Sequence, residues 1–342
     1  MLIAGDIGAT KTLLALYTEE GGPRCPLVER EFPSEAFAGL ADIVRVFLSD
    51  VGQEVTAGCF DVAGPVVGGR AELTNLPWLI EEETLARELG LARVSIINDL
   101  MAVAYAVPHL QENELWAINP GKAEPHCPIA ILAPGTGLGE AFLIRNGSKH
   151  IACASEGGHA DFAPVDSLQA ALLEHLARTF GHVSYERVCS GSAIPGLYAF
   201  LRAREPTAES AEFARRLAAA KDRTRLIVAA ALEDSAKNPL APATLDLFVS
   251  VLGAEGGNLV LKVLATGGLY LAGGMPERIL PRLEDGRFMR AFTAKGRFAG
   301  FLRDVPVKVV VTKAALLGAA CYGLERLRAA KPSSPQPSPS RC

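Results

Sequence analysis

The sequence predicts a mixed α/β fold built as two similar halves flanking a cleft, and three observations carry that expectation. Apolar runs of strand length alternate with segments of helical character along most of the 342 residues. An apolar run at 2–7 turns through Gly8-Ala9-Thr10-Lys11 into a second run at 12–17, which reads as strand, tight turn, strand. The same opening recurs where the run at 129–133 enters Pro134-Gly135-Thr136-Gly137-Leu138-Gly139 and leaves through 141–144.

Between the two hairpins the pattern predicts a helix over 36–51, a strand over 60–63, a helix over 81–89, a strand over 94–97 and a helix over 100–107. After the second hairpin a helical region dominates 166–264. A strand over 269–271 then ends in Ala272-Gly273-Gly274, followed by a strand over 307–311 and a last helix over 313–328. The segment 331–342 is rich in proline and poor in apolar groups, and is expected to be disordered.

Composition narrows the function. With 34 basic against 38 acidic residues and a formal charge of −4, no long run of one sign offers a surface for nucleic acid or an anionic membrane, so a small-molecule partner is expected. The 7 cysteines are scattered singly, without zinc-like Cys/His spacing, which suits a reducing compartment. No signal-peptide pattern opens the sequence and no uncharged apolar run reaches membrane-span length, so a cytoplasmic location is expected, with no membrane partner.

The glycine-rich turns carry the first chemical signal. Gly135-Thr136-Gly137-Leu138-Gly139 has the spacing G-x-G-x-G and leads into a strand, unlike a dinucleotide fingerprint, which leads into a helix. A hairpin of this kind presents backbone N–H groups as an anion nest, and Thr136 adds a hydroxyl. The first turn has the same logic, with Asp6 at the end of the entering strand, where it can hold Mg²⁺ directly or through water. Two phosphate loops at one cleft would grip ATP. Gly273 and Gly274 end a strand where a flat ring can approach the backbone; a plain strand-to-helix connection is the alternative.

Several segments together resemble the bacterial glucokinase family, within the actin, Hsp70 and sugar-kinase superfamily. They are Gly-Asp-Ile-Gly-Ala-Thr at 5–10, Thr-Asn-Leu-Pro-Trp at 74–78, Ile-Asn-Asp-Leu at 97–100 and Gly-Thr-Gly-Leu-Gly at 135–139. Glu-Gly-Gly-His-Ala-Asp-Phe-Ala-Pro at 156–164, Gly-His-Val-Ser-Tyr-Glu-Arg-Val at 181–188, Ala-Gly-Gly at 272–274 and Lys-Gly-Arg-Phe at 295–298 follow in the family's order. The likeness implies a duplicated actin-like (ribonuclease H-like) fold. It divides the chain into a small domain of 1–109 completed by about 312–328 and a large domain of 110–311, with hexose bound between them. It also implies a homodimer and the transfer of phosphate from Mg²⁺-bound ATP to glucose. Another hexose, or a sugar-sensing role without turnover, is the alternative.

Carried over residue by residue, Asn98, Asp99, Glu156, His159 and Glu186 match the family's sugar contacts, and Asp99 matches its catalytic base. Gly5, Asp6, Ile7, Gly8, Ala9 and Thr10 match the first ATP-binding segment, with Gly135, Thr136, Gly137, Gly273 and Gly274 completing the ATP set. Each has an ordinary reading beside it: Asp99 precedes a helix and suits an N-cap, and His159 suits a strand end. Trp78 reads as a core anchor, Asn75 as a loop-shaping residue, and the charges at 215–225 as a solvated helix face. Two departures from the family pattern stand out. Ala9 and Lys11 occupy positions where many relatives carry glycine and asparagine, so a positive φ at position 9 would strain the loop. The zinc signature of the related repressors is missing, which argues against a transcriptional regulator.

Overall fold

A computed structural model describes residues 1–73, 76–147, 149–205, 209–233 and 238–329. The chain forms two units, Met1–His109 with Lys313–Cys342, and Leu110–Thr312, so that along the sequence the second interrupts the first. The expected disorder at 331–342 and the loop role of Asn75 lie outside the described residues.

The first unit opens with β1 (Leu2–Ile7), β2 (Lys11–Tyr17) and β3 (Val28–Pro33), followed by the helix α1 (Leu40–Val51) and the strand β4 (Ala57–Val62). β5 (Arg70–Glu72) and β6 (Leu79–Glu81) pair as a separate ribbon, and α2 (Glu82–Leu89), β7 (Arg93–Asn98) and α3 (Asp99–Ala106) complete this stretch. The main sheet runs β3-β2-β1-β4-β7, antiparallel through the first three and parallel through β1, β4 and β7. In α1 the buried residues Leu40, Ile43, Val44 and Phe47 recur at helical spacing and pack one face of the sheet. Helix α1 begins at Leu40, later than the 36–51 expectation, because Ser34–Ala36 forms a separate 3₁₀ turn and Gly39 is extended backbone at the helix start. Trp78 is buried in this core, as an anchor.

The second unit repeats the plan. Its strands are β8 (Leu115–Asn119), β9 (Ile129–Pro134), β10 (Leu138–Asn146), β11 (Lys149–Ser155), β12 (Leu269–Leu271) and β13 (Val307–Val310). They run β11-β10-β9-β12-β13-β8, so three antiparallel strands again lead into parallel β9, β12 and β13, with β8 added antiparallel at the edge. The region 166–264 resolves into α4 (Ser167–Phe180), α5 (Ile194–Arg204), α6 (Ala211–Ala219), α7 (Arg223–Glu233) and α8 (Leu240–Val263). Short helices follow: α9 (Gly274–Arg278), α10 (Leu280–Leu283), α11 (Arg287–Thr293) and α12 (Ala299–Asp304). Among the described helices α8 alone has the length and apolarity of a membrane span, yet it is the core of this unit, buried along most of its length and carrying Asp246, Glu255 and Lys262. The charges at 215–225 are exposed but straddle two helices, α6 and α7, and so form no single face.

The last helix, α13 (Ala315–Ala329), returns to the first unit. Its buried residues Leu316, Ala319, Ala320 and Leu324 cover Leu2, Ala4, Cys59 and Ile97 of the first sheet. It also lies against α3 at backbone distance: a Cβ on Gly318 would come within 1.6 Å of the Ala102 carbonyl oxygen. Cys25, Cys59, Cys127, Cys153, Cys189 and Cys321 are all free thiols.

Candidate active site

In the first unit, β1 delivers Asp6 and then turns. The turn closes when the Gly8 N–H donates to the Lys11 carbonyl at 2.9 Å. Ser34 pins it from outside, its hydroxyl donating to the Gly8 carbonyl at 2.7 Å and its N–H to the Thr10 carbonyl at 3.0 Å. Because the Ser34 proton points to Gly8, Thr12 is the donor in the 2.9 Å bond between the two buried hydroxyls. Neither Ala9 nor Thr10 has a positive φ, so the strain anticipated for Ala9 does not arise.

Three carboxyl groups converge behind this turn. Asp6 of β1 lies in register with Asp61 of the parallel strand β4, and Asp61 is followed in register by β7, which leads to Asp99. Asp99 opens α3, but the helix is capped by Asn98, whose Oδ1 accepts the N–H groups of Leu100 at 2.9 Å and Met101 at 3.4 Å. The Asn98 amide also donates to the Gly64 carbonyl at 2.9 Å, its other N–H serves the Asp99 carboxyl, and its oxygen has no unused lone pair. Asp99 is relieved of capping, and its Oδ1 accepts the Leu100 N–H at 2.9 Å. Burial raises its carboxyl above the usual range, opposed by hydrogen bonds from Leu100 and Asn98. Burial and then the Asp99 charge also raise Asp6, while Asp61 and Lys313 pull it back.

Asp61 was not singled out from the sequence, although a lone carboxylate in an apolar strand was the available signal. It is fully buried, and neither carboxyl oxygen meets a donor among the described residues. Burial, then the charges of Asp6 and Asp99, push its carboxyl well above the usual range. Two ionised carboxylates offer each other no donor, whereas a protonated Asp61 donates to Asp6. The folded state thus holds a proton that the unfolded chain releases, so stability falls as pH rises above 3.8 toward the raised value. Asp61→Asn, a neutral isostere with a donor amide, is expected to remove that dependence. Urea unfolding at about pH 4 and about pH 9 should show the variant gaining on wild type at the higher pH.

In the second unit, the turn between β9 and β10 closes with the Gly135 N–H donating to the Gly137 carbonyl at 2.9 Å. A segment missed in the sequence braces it: the N–H groups of Gly191 and Ser192 donate to the carbonyls of Gly135 at 2.8 Å and Thr136 at 3.3 Å. Gly273 reaches the same turn at a φ of +82°, where a Cβ would lie 3.1 Å from the Pro134 carbonyl; that backbone requires glycine. Gly135, Thr136, Gly137, Gly273 and Gly274 therefore stand together as one backbone-lined turn.

The sugar candidates of this unit are also neighbours. A 3₁₀ turn, Gly157–His159, follows β11 and brings His159 Nε2 within 3.9 Å of Glu156 Oε2, both side chains open to solvent. Glu186 joins that turn to the glycine-rich hairpin: its N–H donates to the Gly158 carbonyl at 2.8 Å and its Oε2 accepts the Leu138 N–H at 3.0 Å. A buried pair, Glu140 and Glu255, lies behind this assembly and was not read from the sequence either.

A sequence model described as Glucokinase matches residues 3–326. The chain belongs to the glucokinase family. A glucokinase of Nostoc punctiforme is 39% identical over 335 residues, covering 94% of this chain and 98% of that one. The crystal structure of a glucokinase from an Antarctic psychrotroph superposes with a TM-score of 0.81 at 32% identity, covering 95% of this chain and 98% of that one. A glucokinase from Balamuthia mandrillaris in complex with glucose shares the fold, with a TM-score of 0.75 at 21% identity over 95% and 93% of the two chains. The activity is accordingly that of a glucokinase, the ATP-dependent phosphorylation of glucose at its 6-hydroxyl, and the expected duplicated α/β fold is the one found.

Proposed function

We propose that Asp99 is the base of this reaction, that Asn98, Glu156, His159 and Glu186 hold the glucose hydroxyls, and that the segment Gly5–Thr10 with the turns at Gly135–Gly137 and Gly273–Gly274 holds ATP. The observation that supports it most directly is the division of labour at the start of α3, where Asn98 caps the helix and Asp99, with its raised carboxyl, remains for chemistry. A carboxylate of raised pKa is the better proton acceptor for a sugar hydroxyl. Phosphoryl transfer asks little covalent work of the protein, so the remaining residues orient the sugar, place the phosphates against backbone N–H groups and exclude water.

Mg²⁺ bound with ATP would neutralise phosphate charge in this reaction. Asp6 is the residue that would hold it, directly or through water. The convergence of Asp6 and Asp99, whose charges oppose each other, suits a nearby cation. Among the described residues no three carboxylate, histidine or cysteine side chains form a cage, which fits a cation held mainly by phosphates and water. We further read the chain as a cytoplasmic homodimer that binds neither nucleic acid nor membrane; light scattering would report the dimer.

ADP release with Mg-ATP across a panel of glucose, mannose, fructose and glucosamine tests the substrate. Glucose should give the highest kcat/KM, and a better turnover of another sugar would reassign it. Glu156→Ala should raise KM for glucose by about tenfold or more, the loss expected for a hydrogen bond to a charged group, with KM for ATP little changed.

A further inference from the structure

Behind the turn that carries Glu156 and His159 lies an acid pair that the reaction itself does not require. Glu140 and Glu255 are 1% and 0% exposed. Glu140 sits on β10 opposite Ser155 of β11, and its Oε1 has no hydrogen-bond partner among the described residues. Its Oε2 lies directly against Gly157: a Cβ on that residue would come within 2.0 Å of it. The Gly157 N–H is tied to Ser155 Oγ at 3.0 Å, so the turn rests on β10 and β11 with the Glu140 carboxyl as its floor.

The other neighbour of Glu140 is Glu255 of α8, which cannot retreat. Lys262 Nζ donates to it at 3.2 Å and Asn258 Nδ2 at 2.8 Å. Asn258 is fixed in turn, donating to Tyr185 Oη at 3.0 Å and accepting from Lys295 Nζ at 2.6 Å.

We propose that Glu140 is a positioning residue for glucose binding: held between Gly157 and Glu255, its carboxyl sets the place of the turn that presents Glu156 and His159. The proposal rests on the reading that those two residues contact the sugar. The charged and titratable groups around Glu140 are Glu255 and Lys262 from α8, Lys295 beyond α11, and Tyr185 and Cys189 between α4 and α5. Burial, then the Glu255 charge, with Lys262 opposing, push the Glu140 carboxyl up to about 7. Below that pH Glu140 carries a proton and donates it to Glu255 as a hydrogen bond. Above it, two carboxylates oppose each other in the core. Glu255 is anchored, so the displacement falls on Glu140 and the turn above it, and glucose binding weakens.

Calorimetric titration with glucose, without nucleotide, tests this at about pH 6 and about pH 8.5. Wild type should bind about tenfold more weakly at the higher pH, the change produced by one pKa unit of difference between the free and bound forms. Glu140→Gln keeps the shape and donates to Glu255 at every pH, so its two affinities should agree within about twofold, while every other titrating group is retained. Equal wild-type affinities at the two pH values overturn the proposal, and that comparison stands even if the amide variant fails to fold. A Glu140→Gln protein with the wild-type pH loss overturns it as well. Glu156→Ala separates the underlying reading: if it binds glucose as wild type does, the sugar-contact assignment fails and takes the proposal with it. If Glu156→Ala binds weakly while Glu140→Gln follows wild type, only the role of Glu140 fails.

Discussion

Asp99→Asn is expected to lower kcat by about 10²–10⁴-fold, the range that a positioned general base contributes. The substitution is a sharp test because the asparagine keeps the shape and the Oδ1 acceptor for the Leu100 N–H at 2.9 Å, so α3 has no reason to unwind. Capping is unaffected, since Asn98 performs it. Glucose affinity should therefore change by only a few-fold while turnover collapses, a split that a structural defect would not produce. The pH profile gives a second readout. The Asp99 carboxyl is raised by burial, so wild-type kcat must climb with pH as that proton is lost, and the asparagine variant must lack the climb. ADP release and glucose calorimetry on the two proteins settle both points. A variant within about threefold of wild-type kcat would move the base elsewhere.

Gly318→Ala should have the largest effect on stability. In an unconstrained helix the exchange would gain about 1 kcal/mol from helix propensity. Here the new Cβ would lie 1.6 Å from the Ala102 carbonyl oxygen, a backbone atom that cannot swing aside. Helices α3 and α13 must part, and the packing of Leu316, Ala319 and Ala320 on the first sheet parts with them. Overpacking against backbone should cost about 3 kcal/mol or more, beyond the propensity gain. Ala102 sits one helical turn after Asp99, so the displacement also moves the proposed base. A misplacement of about 1 Å can cost on the order of 10²-fold in rate. Thermal unfolding and kcat/KM measured together check this. An unchanged melting temperature would mean that the two helices pack less rigidly than the structure shows.

The parts of this fold that were legible in sequence are the parts buried on both sides. Strands β1, β4, β7, β9 and β12 are apolar runs because neighbours cover them, and the two hairpin turns are marked by glycine. The strands that escaped notice are mostly at edges. β3 reads Val-Glu-Arg-Glu-Phe-Pro and is mostly exposed, and β8 and β11 close the two ends of the second sheet. An edge strand pairs on one side only and carries polar residues that keep it from pairing further, so its pattern resembles a loop.

The site divides in the same way. Asp99, Glu156, His159 and Glu186 stand out through their motifs, and Glu186 proved to be tied to both the glycine-rich hairpin and the turn at Gly158. The buried acids did not stand out. Asp61, Glu140 and Glu255 interrupt apolar stretches singly, and only register across a sheet or packing between sheet and helix reveals that each faces another acid. The capping role suspected for Asp99 belongs to its neighbour Asn98, a difference of one residue that backbone geometry decides and sequence pattern does not.

The return of α13 to the first unit bears on how the chain is made. Strand β1 leaves the ribosome long before α13, yet one face of its sheet waits for Leu316, Ala319, Ala320 and Leu324. The whole of Leu110–Thr312, with its own core, is synthesised in the interval. During translation, then, the second unit is the one able to complete itself, while the first keeps an apolar sheet face uncovered until α13 emerges.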